Sequence, residues 1–234
     1  MQKPEKLLVN IDLSELDDNL MQYAAYLCEK LKIRKLVFLH NMLITEPPEE
    51  LKSHYPELKE PLDTLVEREI HENIQRYLDP SAAEIEVSIF QNKGINEIVK
   101  WVSEQKVDLS LVGKKSPAEG QGWYARQYVR LTSHTVIMVP PMSSIPIKNI
   151  LAPVDLSKNA INVIGKAHNM AMQLDADLSY LHLYSLPPQH FPYVTGNIKK
   201  YQEEYLRYAG REFEKWRKKS LGEEKSGPCH FHLA

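Results

Sequence analysis

The 234-residue chain has two cysteines, nine glycines, five phenylalanines, no excess of either charge and no long apolar run. Each scarcity closes off a class of function. Cys28 sits in an apolar helical pattern and Cys229 in a strand-like one, so neither a disulfide framework nor a cysteine-based zinc site can be built. Both are expected to pack as small buried side chains. Lys and Arg number 29 against 31 Asp and Glu, a formal charge of −2, which gives no global reason to expect nucleic acid or an anionic membrane as partner. No stretch approaches the ~18 apolar residues of a membrane span, and the opening MQKPEKLLVNID enters a strand without a signal-peptide apolar region. A soluble, cytoplasmic protein is the expectation.

Catalytic signatures are missing as well. The chain has no G-x-S-x-G, no G-x-x-x-x-G-K-[ST], no strand-associated G-x-G-x-x-G and no Cys/His ligand set. No enzyme, and no resident metal or cofactor, is expected from the residues. What is present is ordinary globular composition, 43% hydrophobic and 26% charged, enough to bury a real core.

The chain also repeats itself. LLVNIDLSELDDNLMQYAAYLCEKL from Leu7 and ILAPVDLSKNAINVIGKAHNMAMQL from Ile150 share an apolar strand, Asp-Leu-Ser and an amphipathic run ending in Leu. Asp12 pairs with Asp155, Ser14 with Ser157, Ala24 with Ala167 and Leu31 with Leu174 at one constant offset. After a single deletion His40 pairs with His182. Within each copy a short apolar strand, a helix with apolar residues three and four apart (Leu20, Tyr23, Ala24, Leu27, Leu31) and a second strand predict a βαβ unit with a parallel sheet.

Past Met42 a polar, Pro-containing stretch to Pro61 reads as a loop, and a helix follows over Leu62 to Tyr77. Ile85, Val87 and Ile89 alternate as a third strand, GINEIVKWVSEQ reads as a helix, DLSLVG as a fourth strand, WYARQYVRLT as a helix and TVIMV as a fifth strand. That completes a doubly wound domain over residues 1–141, with a Pro-rich linker over 142–149 and a second domain over 150–234. CHFHLA corresponds to the third strand of the first copy, so the second domain is expected to lack about its last third, as a fragment or by nature.

In an open parallel sheet, ligands bind beyond the carboxyl ends of the strands where strand order reverses. Asp12 and Asp155 end the first strand of each copy and belong in that crevice, where a carboxylate could accept hydrogen bonds from an adenine or ribose, or bind a metal. The competing reading is capping, with Ser14 or Ser157 bonding the first N–H groups of the helix.

These residues resemble the universal stress protein family. The likeness is carried by Asp-x-Ser after an apolar first strand, by YAAYLCEKL, by FLH and by VGKKS…GWYARQYVRLTSHTVIMVPP, and the duplication resembles its tandem two-domain members. The resemblance implies a Rossmann-like α/β fold, a doubly wound parallel five-stranded sheet in the order 3-2-1-4-5, present twice with the second copy incomplete. It also implies pairing through fifth strands, as a homodimer or an intrachain pseudo-dimer.

Nucleotide-binding members carry G-x2-G-x9-G-(S/T) after the fourth strand, two glycine turns wrapping the phosphates. Here Gly113 fits the first Gly, Ser116 replaces the second, the following spacer is five residues instead of nine, Gly122 fits the third, and Trp123 takes the hydroxyl's place. A shorter loop offers fewer N–H groups, and an indole would exclude a phosphate oxygen. ARQYVRLTSHTVIMVP resembles the branch of the family that does not bind ATP. The site made of Asp12, Gly113, Ser116 and Gly122 is therefore expected to be degenerate, and the second site, with Asp155, incomplete.

Other signals point to ordinary structure. His230 and His232 share a strand face without further ligands nearby, and His40 and His182 are expected to be packed or hydrogen-bonded. EKWRKKS reads as a solvated helix face, and Tyr201, Tyr205 and Tyr208 as packing. The expectation is a non-enzymatic stress-response protein acting through dimerisation and unidentified protein partners. The rival is an ATP-binding sensor or slow ATPase. A phospho-acceptor domain using Asp12 would need a second carboxylate and a strand-end Lys, a set the sequence does not make evident.

Overall fold

The computed structural model describes residues 4–42, 47–55, 60–115, 122–184, 198–221 and 229–233. They divide into two compact units, residues 2–145 and 146–234.

The first unit runs β1 (Lys6–Ile11), α1 (Leu16–Leu31), β2 (Lys35–Met42), α2 (Glu49–His54), α3 (Leu62–Tyr77), β3 (Glu84–Gln91), α4 (Ile95–Glu104), β4 (Leu109–Gly113), α5 (Trp123–Leu131) and β5 (Thr135–Val139). The five strands form one parallel sheet in the order β3-β2-β1-β4-β5, the doubly wound order that the resemblance implies. The central strands are apolar at successive positions because both faces are covered. Leu8, Val37, Leu39 and Val112 face α4 and α5, packing with Ile98, Val102 and Tyr128. The alternate residues Leu7, Val9, Leu36 and Phe38 are equally buried, while α1 and α3 pack against each other beside them.

Two local expectations change. The stretch read as a loop contains α2, none of whose residues is buried, so no apolar period could announce it. The first helix is not capped by Ser14: α1 has no side-chain cap hydrogen bond of that kind. Instead Asp17, in its first turn, reaches back to accept the N–H groups of Asp12 and Leu13. In the second unit Asn159 is the N-cap of α6, which likewise has no side-chain cap hydrogen bond, while Ser157 Oγ accepts from the N–H of Ala160 at 3.3 Å.

The second unit contains β6 (Asn149–Pro153), α6 (Ala160–Leu174), β7 (Asp177–Tyr184), α7 (Ile198–Leu221) and β8 (Cys229–Leu233), with a parallel sheet in the order β6-β7-β8. Its core joins Ala152, Val154, Ile164, Tyr180 and Phe213 on one face. The two units share local geometry at paired positions. Leu13 and Leu156 both adopt a left-handed backbone, φ 59 and 60, as do Lys32 and Asp175, φ 57 and 55. His40 Nδ1 meets the carbonyl of Ile11, and His182 Nδ1 that of Val154. Both imidazoles are buried and hydrogen-bonded, as expected.

Candidate functional site

Strand order reverses between β1 and β4, and the crevice opens at their carboxyl ends. Asp12 follows β1 directly, Gly113 closes β4, and Lys115 stands just beyond it. A cavity of about 480 Å³ occupies this end of the first unit, its wall including Asp12, Asp17, Leu39, Asn41, Lys115 and Trp123.

The polar end of the cavity is engaged with itself. Lys115 Nζ lies 2.5 Å from Asp12 Oδ2, while Asp12 Oδ1 accepts the N–H of Ser14 at 3.2 Å. Partial burial pushes Asp12 up, but the Lys115 ammonium and Ser14 outweigh it and hold the carboxyl below its ordinary 3.8. Asp17 goes the other way. It is buried next to the charge of Asp12, and those two effects exceed its two backbone hydrogen bonds, raising it to about 7. Around neutral pH this carboxyl therefore exchanges its proton.

Deeper in the wall, Asn10 donates from Nδ2 to the carbonyl of Leu111 at 3.2 Å and accepts from Tyr124 Oη at 3.0 Å. Burial raises the Tyr124 phenol well above its ordinary value, so it stays protonated and donating. Behind it, Ser110 Oγ joins Tyr128 Oη at 2.9 Å and His134 Nε2 at 2.6 Å, and burial holds the His134 imidazole below its ordinary value.

Of the sequence-predicted residues, Asp12, Gly113 and Gly122 come together at this cavity. A Cβ on Gly113 would meet side-chain carbons of Leu16 and Leu20 no nearer than 3.7 Å, so close backbone approach is not what requires glycine there. Gly122 has φ 54, the left-handed turn that starts α5, a conformation glycine adopts without the strain a side chain would bring. Ser116 lies outside the described residues. Trp123 is 58% exposed and is one of the residues that line the cavity. Asp155 is in the second unit, exposed beyond β6, with Oδ1 accepting from Ser157 N at 3.0 Å, beside a hollow of about 510 Å³ that also touches His182.

Sequence reasoning missed Asp17 and Lys115, and with them the set of two carboxylates and a strand-end lysine that it judged absent. The Lys-Lys doublet after Gly113 was the available signal. Among the described residues no group of three or more His, Cys, Asp and Glu is placed to hold a metal, and the side chains of His230 and His232 lie outside them. No described helix is long and apolar enough to cross a membrane.

No protein-family model matches the chain, and no curated protein matches it. Solved structures do. A universal stress protein from Archaeoglobus fulgidus DSM 4304 superposes with a TM-score of 0.57 at 15% identity, covering 97% of this chain and 76% of that one. A functionally unknown protein from Pseudomonas aeruginosa PAO1 gives 0.59 at 15% identity, covering 99% and 74%. The chain therefore has the universal stress protein fold, a Rossmann-like α/β sheet in the order 3-2-1-4-5.

Proposed function

We propose that the chain is a tandem universal stress protein that acts without catalysis, as a cytoplasmic regulatory scaffold working through dimerisation and protein partners, with the nucleotide site of its first domain lost. The domains are 1–141 and 150–234, joined by 142–149. One observation supports the loss of the site: Lys115 is paired with Asp12, so a nucleotide would have to compete with that pair for both the carboxylate and the lysine. The shared left-handed residues and paired histidines support a common origin of the two units.

The second reading is an adenine-nucleotide sensor or slow ATPase. It is favoured by the open cavity at the strand ends and by α5, which begins at Gly122 without a side-chain cap and so offers free N–H groups to an anion.

Calorimetric titration of MgATP into the chain separates the two. The scaffold reading expects no saturable heat, in the wild type or in Asp12→Ala. Saturable binding that Asp12→Ala abolishes establishes the sensor and removes the scaffold reading.

A further inference from the structure

We propose that the first unit's crevice is a binding site for an uncharged, planar ring compound that carries no phosphate. The inference rests on the reading that the phosphate cradle is lost, and asks what the remaining space selects.

Its volume, about 480 Å³, falls in the ~300–1,000 Å³ range of small-molecule sites. The chemistry of the wall then decides the ligand, because among the described residues its asparagine, carboxylate and lysine side chains are already bonded within the protein. Asn10 uses its amide N on Leu111 and its amide O on Tyr124. Asn41 bonds the backbone of Lys93 with both ends, at 3.0 Å each. Asp17 takes the N–H groups of Asp12 and Leu13. Asp12 and Lys115 hold each other, and the Lys93 ammonium lies 3.0 Å from Glu97.

A polyanion entering here would compete with Asp12 for Lys115, and the second ammonium of the wall, Lys93, is engaged by Glu97. The wall therefore offers phosphate no unopposed positive charge to cradle it. An uncharged ligand breaks none of these bonds. What remains for it is the apolar wall of Leu16, Leu20, Leu39, Ile95 and Val112, with the rings of Trp123 and Tyr124 following one another at the start of α5. Aromatic walls and an exposed indole favour a flat ring that can stack.

The test uses the whole chain and 2-naphthol as probe, followed by saturation-transfer NMR and calorimetry, with MgATP titrated in parallel. The expected result is saturable one-to-one binding of 2-naphthol, weakened about tenfold or more in Leu16→Trp, which fills the cavity, and also weakened in Trp123→Ala. Trp123 is exposed, so its variant keeps the test sound if Leu16→Trp does not fold. No saturable 2-naphthol binding, or equal affinity in a folded variant and the wild type, overturns the inference while leaving the loss of ATP binding untouched. MgATP binding that 2-naphthol competes away overturns the phosphate-free clause and the scaffold reading together.

Discussion

Asp17 and Asp12 are neighbours pulled in opposite directions, and the difference can be read in solution. The folded state holds the Asp17 proton up to about pH 7, well above the ordinary 3.8. Protonated Asp17 thus contributes stability that is fully present below pH 3.8 and is lost as pH rises through about 7. Asp17→Asn should gain on the wild type across that window in a series of chemical denaturations, and a constant difference would show that Asp17 is ionised throughout. Tyr124 makes a second residue-scale prediction. Tyr124→Phe leaves the buried amide oxygen of Asn10 without its donor, a loss expected to cost ~1–3 kcal/mol, measurable by urea unfolding; an unchanged midpoint would mean that Asn10 is satisfied otherwise.

At the scale of the element, what the sequence revealed depended on whether an element buries a face. The spacing of Leu20, Tyr23, Ala24, Leu27 and Leu31 announced α1 because all five are buried against the sheet. The short α2, with no buried residue, left no pattern to read. The site divides in the same way. Asp12 was legible because a strand end fixes its place, whereas its pairing with Lys115 depends on β1 and β4 lying side by side, a long-range adjacency that local periodicity does not record. The start of α4 shows a local device with a measurable share: Glu97 Oε2 accepts the N–H of Gly94 at 2.9 Å, tying down the helix entry. Glu97→Ala should lower the midpoint in the same unfolding measurement, with Glu97→Gln recovering part of the loss.

For the whole molecule, residues paired by the constant sequence offset differ in burial between the two units. Leu8 in β1 is 0% exposed, while its counterpart Leu151 in β6 is 58% exposed; Leu20 in α1 is 2% exposed and its counterpart Val163 is 43%. The first unit covers both faces of its central strand, whereas the core of the second gathers on one face. Amide hydrogen exchange should therefore be slower by orders of magnitude in β1 than in β6. Equal protection would mean that the second unit's open face is covered in solution.

The account turns on Asp12 being held by Lys115, and titration of the Asp12 carboxyl carbon by NMR tests that pair most directly. In the wild type Asp12 should titrate below 3.8, moving up when Lys115→Ala removes the ammonium. An Asp12 that titrates at or above 3.8 and does not respond to Lys115→Ala would contradict the pairing, and with it the argument that this crevice turns phosphate away.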